Sequence, residues 1–262
     1  MIWSIPNLWE GGECWILGGG PSLTGQFDIP DKVVQGVLKK ELPLTTYSPY
    51  MAAIHDKHVI GVNMAFKIGA WIDMVFWGDK KWYLTNRIEM ASFKGLKVTC
   101  HPYFANGRFP DEGVKYILKD TIHSQGISQR ANSASWNANS GSAAISVAAH
   151  MGATKIILVG FDMKLDDVYK QHWHSEYGAM NRKGATPKSL PFNRHLVGFP
   201  HIARDARKMG ITIINACPDS AIPDFPKMSV KDILDGKPIV PVPISAAAPE
   251  IKRRDIHERR RR

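Results

Sequence analysis

Cysteine is scarce in this chain. Cys14, Cys100 and Cys217 are the only three in 262 residues, with no metal-type spacing between them. That count and the chain's size exclude a disulfide scaffold. Each thiol sits in or beside an apolar run, where a free cysteine behaves as a small buried hydrophobe. Long apolar runs are missing too. No stretch approaches the roughly 18–20 continuous apolar residues of a membrane-spanning helix. The opening MIWSIPNLWEGGE has no basic segment ahead of an apolar one, so no secretory signal is expected and a cytoplasmic location is. No carboxylate pair at glycosidase-like positions and no compelling Ser/His/Asp order stands out, and there is no internal repeat.

Positive charge is present but unevenly placed. The net charge is +10, and Ile251–Arg262 (IKRRDIHERRRR) supplies +5 of it. A terminal block of like charge is either a solvated tail or an electrostatic tether for a polyanion, be it nucleic acid, anionic lipid or an acidic partner. Lys237–Pro249 (KPIVPVPISAAAP) reads as an extended Pro/Ala-rich linker. The expected organisation is one domain over residues 1–236, then a linker and basic tail over 237–262.

Within the domain, short apolar runs alternate with helix-like segments. Candidate strands are Glu13–Leu17, His58–Asn63, Met74–Gly78, Lys97–His101, Lys155–Gly160 and Thr212–Ala216. Near-continuous apolar strands of this kind are covered on both faces, as in a parallel sheet. Ser140–Met151 and Ile202–Met209 read as helices stopped by Gly152 and Gly210. The expected fold is α/β, a doubly wound and mostly parallel Rossmann-like sheet. Pro43–Lys57 reads as a loop insertion. Residues 164–200 read as a long lid-like insertion, polar and aromatic with few regular signals.

The strand ends carry the polar signal. CWILGGGPSL places Gly18, Gly19 and Gly20 directly after the first strand, then Pro21 and Ser22. Glycine admits left-handed backbone and close approach of N–H groups to a ligand. GGGPSL matches neither the dinucleotide fingerprint nor the P-loop, so a plain strand–helix turn remains open. The second strand ends in Asn63, the third in Asp79 and the fifth in Gly160 and Asp162. NSGSAAISVAAHMG puts Asn139, Ser140 and Gly141 at a helix start. Several strand ends turning polar or Gly-rich together imply one shared site along the sheet edge.

GGGPSL, VNMAF, NSGSAAISVAAHMGATKIILVGFDM and ACPDSAIPDF, in this order, resemble one Rossmann-like superfamily. It comprises bacterial lipooligosaccharide sialyltransferases, motility-accessory-factor flagellin glycosyltransferases and archaeal 6-hydroxymethylpterin diphosphokinases. The HWH segment is similar to phage-encoded relatives. The resemblance spans Trp15 to Phe225 with gaps. It implies a nucleotide or nucleotide-sugar bound at the strand ends, with Gly18, Gly20, Pro21 and Ser22 along the phosphate or ribose. Asn63, Ser140, Gly141, Gly160 and Asp162 match its other nucleotide-contacting positions. The sialyltransferases carry Asn where this chain has Gly19, so one side-chain contact to a CMP-linked donor is missing. The relatives often assemble, so a homo-oligomer is an option.

Two clusters are candidates for chemistry. Gln171–Gly178 (QHWHSEYG) holds His172 and His174, suited to acid–base work or phosphate contact. Two ligands at that spacing leave a metal site incomplete, so no metal is expected there. The resemblance implies that Tyr169 and Tyr177 offset charge on the leaving phosphate and that a histidine before the last long helix is the base. His195 falls nearest that place, with His201 as the alternative and Arg194 beside the leaving group. Asp162 and Asp166–Asp167 could hold Mg²⁺ with a nucleotide, so a metal requirement stays open.

Three functions follow. One is glycosyl transfer from a nucleotide-sugar to an acceptor hydroxyl on a glycan, protein or modified nucleic acid. The second is ATP-dependent pyrophosphoryl transfer to a pterin-like alcohol. The third is non-catalytic binding of a nucleotide or polyanion.

Overall fold

The computed structural model describes residues 1–106, 112–120, 124–177 and 191–242. Nine strands and seven α-helices are found among them: β1 (Glu13–Leu17), α1 (Ser22–Gln26), α2 (Asp31–Leu38), β2 (His58–Val62), β3 (Met74–Trp77), α3 (Lys80–Ser92), β4 (Leu96–Thr99), β5 (Val114–Tyr116), β6 (Leu118–Asp120), β7 (Ser133–Ser135), α4 (Ser140–His150), β8 (Lys155–Val159), α5 (Phe192–Leu196), α6 (Phe199–Lys208), β9 (Thr212–Asn215) and α7 (Val230–Leu234). Seven strands form one sheet in the order β5-β4-β3-β2-β1-β8-β9. Every pairing in it is parallel. β6 and β7 form a separate two-stranded parallel sheet. The fold is α/β, with a Rossmann-like parallel sheet.

The apolar strands are explained by cover on both faces. Alternate residues of the central strands enter two cores. Trp15, Leu17, Val59, Val75, Trp77, Ile157 and Val159 belong to one, and Cys14, Ile16, Ile60, Met74, Phe76, Ile156 and Leu158 to the other. Burying such a side chain contributes about 1.5–3 kcal/mol, so both faces gain, while the charged Glu13 and Lys155 stand at the strand starts and pair with each other. α4 supplies Ala143, Ala144, Val147 and Ala148 to the second core. Its small residues let the helix lie close on the strands, and Gly141 is needed there. A Cβ on it would come within 2.9 Å of the Phe161 ring. All three cysteines are free and buried.

The chain winds outward from β1 through β2, β3, β4 and β5, then returns to β8 on the other side of β1. The direction of winding reverses between β1 and β8. At such a switch point the loops leaving the two strands diverge and open a crevice at their carboxyl ends. No helix of the described residues is long and apolar enough to cross a membrane.

Three expectations need correction. Pro43–Lys57 is no loose insertion. Leu44–Ile54 is a run of 3₁₀ turns that buries Leu44, Tyr47, Met51 and Ile54 against the first core. The region 164–200 is partly regular, since α5 lies in it and α6 begins at Phe199 rather than Ile202. Its residues 178–190, and the tail from 243, lie outside the described residues. β5, β6 and β7 were not anticipated; each is three residues long.

Candidate functional site

A cleft of about 1150 Å³ opens at the carboxyl ends of β1, β2, β3 and β8. It gathers Gly18, Gly19, Gly20, Asn63, Asp79, Asn139, Ser140, Gly141, Gly160, Asp162, His172, His174, Tyr177, Arg194 and His195. Pro21, Ser22, Tyr169 and His201 do not line it. Tyr169 is 77% exposed on the loop after Asp166, and His201 is buried within α6. Pro21 and Ser22 begin the turn into α1, behind the cleft wall.

The glycine wall is built by close packing. None of Gly18, Gly19 and Gly20 has a left-handed φ, whereas Gly160 does, at +70°. A Cβ on Gly18 would lie 2.6 Å from the Gly160 carbonyl, and one on Gly20 would fall on the Asp162 carboxylate. The turns after β1 and β8 therefore interlock backbone to backbone. Gly18 N–H donates to Val159 O at 2.7 Å and Gly20 N–H to Gly160 O at 2.8 Å. The expectation that these amides close on a phosphate does not hold for Gly18 and Gly20, because the fold engages both. Gly19 N–H donates to no described residue.

Asp162 is held by the same wall. Its two carboxylate oxygens accept from Ser22 N–H at 3.1 Å and Ser22 Oγ–H at 2.9 Å. Burial raises its pKa, and the Ser22 bonds oppose that rise. Asp166 accepts from Val168 N–H and Lys170 N–H, closing its own loop. Among the described residues no group of three His, Cys, Asp or Glu could hold a metal. Asp79 caps α3, accepting from Trp82 N–H at 3.1 Å.

The opposite wall includes the start of α4. Asn139 is 9% exposed and caps the helix, its Oδ1 accepting from Ser142 N–H at 2.8 Å. That cap contributes about 1 kcal/mol and fixes the side-chain orientation. Its Nδ2 is buried without a partner among the described residues. A buried amide donor left unpaired costs stability, and it stands beside the positive end of the helix. Asn63, at left-handed φ +52°, ends β2 and turns its Oδ1 into a similar unpaired position.

The third wall is the HWH segment. Its residues alternate as in an extended chain. Trp173 turns inward, donating Nε1–H to Gly18 O at 2.8 Å and meeting Tyr47 edge-on. His172 and His174 turn to the cleft and stack, ring centres 5.3 Å apart and planes 7° from parallel. Tyr177 meets both edge-on, at 5.1 and 4.8 Å. Burial lowers the pKa of His172, with the bond to Gly19 O opposing. His174 is pushed well below the usual value by burial, then by His172 and Lys67. Burial raises the Tyr177 pKa, so its phenol keeps its proton. His195 is held at about 4 by burial and the Arg194 charge.

Several lining residues had not been singled out. Lys67 ties the HWH loop to α3 through Glu176 at 3.3 Å and Glu89 at 2.8 Å. Trp136 lies against Gly78, where a Cβ would strike its ring. Both follow or precede quoted motifs, Lys67 in VNMAFK and Trp136 in WNANSG, and an aromatic or cation next to a site motif was the available signal.

No family model matches this chain, and no curated protein matches it. Solved structures do. The MAf glycosyltransferase from Magnetospirillum magneticum AMB-1 matches over 99% of this chain with TM-score 0.55 and 14% identity. The chain spans 39% of that protein's length. The sialyltransferase CstII from Campylobacter jejuni, in complex with the substrate analogue CMP-3FNeuAc, matches over 95% of this chain and 98% of that one, with TM-score 0.45 and 13% identity. At these identities the shared property is the fold.

Proposed function

We propose that the protein is a glycosyltransferase that takes a sugar from a nucleotide-sugar and delivers it to an acceptor hydroxyl, with a cleft histidine as general base. One observation carries this reading: a single cleft at the switch point brings the start of α4, with Asn139 and Ser140, together with the stacked imidazoles of His172 and His174. The helix start suits the nucleotide's phosphate, and an uncharged imidazole can accept a proton. The cleft volume, somewhat above the roughly 300–1,000 Å³ of small-ligand sites, leaves room for a nucleotide-sugar. The fold shared with a MAf glycosyltransferase supports the same class. A CMP-linked donor is one option among the nucleotides. Gly18–Gly20, Asn63, Asp79, Asn139, Ser140, Gly141, Gly160 and Asp162 form the donor's surroundings, and Tyr177 and Arg194 stand near the leaving group.

Pyrophosphoryl transfer from Mg²⁺-ATP is less well supported, because the carboxylates of Asp162 and Asp166 already accept bonds from Ser22 and from loop amides. Incubation of the purified protein with CMP-, UDP-, GDP- and ADP-sugars, with and without Mg²⁺, tests the reading. Release of the free nucleotide from one of them is expected. No release from any, with ATP instead converted to AMP, would replace it.

A further inference from the structure

The hydrogen bonds of the two stacked histidines differ in direction. His172 Nδ1 lies 3.1 Å from Gly19 O. A carbonyl oxygen only accepts, so that nitrogen carries the hydrogen and Nε2 is left with its lone pair. His174 Nδ1 instead accepts from Glu176 N–H at 3.3 Å. That nitrogen has the lone pair, so the hydrogen is on Nε2. The near-parallel stack turns both rings toward the same cleft.

We infer that His172 and His174 are fixed in opposite tautomers, and that the pair reads a hydroxyl-bearing substrate such as a sugar or polyol, with His172 Nε2 accepting and His174 Nε2–H donating. A hydroxyl group is both donor and acceptor, whereas a phosphate at neutral pH offers mainly acceptors and is poorly matched by a lone pair. The surroundings favour uncharged rings. Tyr177 packs on both as a protonated phenol, and the Lys67 ammonium acts on His174 while bound to Glu89 and Glu176. Gly19 makes the arrangement possible, since a Cβ there would press to 3.0 Å on His172 Nδ1.

The catalytic part of this assignment rests on the transferase reading. The acceptor oxygen forms its bond to the anomeric carbon while its proton passes to His172 Nε2. The bond from that carbon to the donor phosphate breaks, and its electron pair leaves with the nucleotide. His172 becomes an imidazolium whose Nδ1–H still bonds Gly19 O, the role an orienting carbonyl plays for a base. His174 keeps its proton and holds a neighbouring oxygen of the acceptor.

The test is a long-range ¹H–¹⁵N spectrum of the histidine rings in the whole protein near neutral pH, assigned with His172→Asn and His174→Gln. Asparagine keeps a donor where Nδ1–H stood, and glutamine keeps one where Nε2–H stood. The expected spectrum has the hydrogen on Nδ1 of one ring and on Nε2 of the other. Hydrogen on Nε2 of both, or a doubly protonated ring, would overturn the assignment, and one folded variant is enough to identify its own ring. Nucleotide release by His172→Asn, checked for an unchanged melting temperature, should fall by about 100-fold or more. A loss below about threefold would overturn the catalytic part while leaving the transferase in place. The expected spectrum from a protein that releases no nucleotide would overturn the transferase reading and leave the tautomers standing.

Discussion

The glycine wall and the histidine wall face one cleft but use their polar atoms in opposite directions. Around Gly18 and Gly20 the amides and the Asp162 carboxylate bond back into the fold, to Val159, Gly160 and Ser22. Around His172, His174 and Asn139 one atom of each side chain is bonded to backbone, and all three residues line the cleft. The first wall is scaffold and the second is presentation. A Gly-rich turn after a strand thus has two meanings, close packing or ligand approach, and here the packing partner decides between them.

Paired substitutions within the glycine triplet should break the contrast most sharply. Gly20→Ala drives its methyl onto Asp162 and the Gly160 carbonyl, and neither can move without opening the β1–β8 junction. Overpacking of that kind costs about 3 kcal/mol, read as a lower urea midpoint. Gly19→Ala meets only a side-chain ring and should cost about 1 kcal/mol. Its main effect should be slower nucleotide release, by displacing His172. Equal stability losses in the two variants would contradict the division into scaffold and presentation.

A smaller, graded effect concerns pH. His172, His174 and His195 all have native pKa values below their ordinary 6.5, by burial first. The unfolded chain then binds more protons than the native one below that value, so stability is lost as pH falls through 6.5 towards about 4, the His195 value. Asp162 opposes this, since its raised pKa favours the native state while it is protonated. Thermal unfolding followed from neutral to mildly acidic pH should show a falling midpoint. Substitution of the histidines by asparagine or glutamine should flatten the slope, and an unaltered slope would contradict this assignment.

Much of the frame was legible in the sequence. Most of the six longer strands stand out because they are buried on both faces and apolar nearly throughout, β4 (LKVT) being only half-buried. Their polar ends then identified the sheet edge where Asn63, Asp79, Ser140 and Gly160 meet. The three-residue strands VKY, LKD and SAS leave no such run, and nothing in them signals pairing. Leu44–Ile54 was misread because its Thr, Ser and Pro suggested a loop, although Tyr47, Met51 and Ile54 already had helical spacing. Gly18, Gly19 and Gly20 line the cleft, but the amides of Gly18 and Gly20 bond within the fold. Sequence shows that something approaches Gly20, not that it is Asp162, 142 positions further on. His201 has the chemistry of a base, and only its burial in α6 removes it from the cleft.

Calorimetric titration of CMP, UMP, GDP and ADP into the wild-type protein and into Asn139→Asp tests the central claim most directly. Aspartate keeps the cap on Ser142 N–H but replaces the Nδ2 donor with a charged oxygen at the start of α4. One of these nucleotides should bind the wild type, and the variant should bind it at least about tenfold more weakly with an unchanged melting temperature. Equal affinity in both proteins, or no binding of any nucleotide to the wild type, would contradict a phosphate site at the start of that helix.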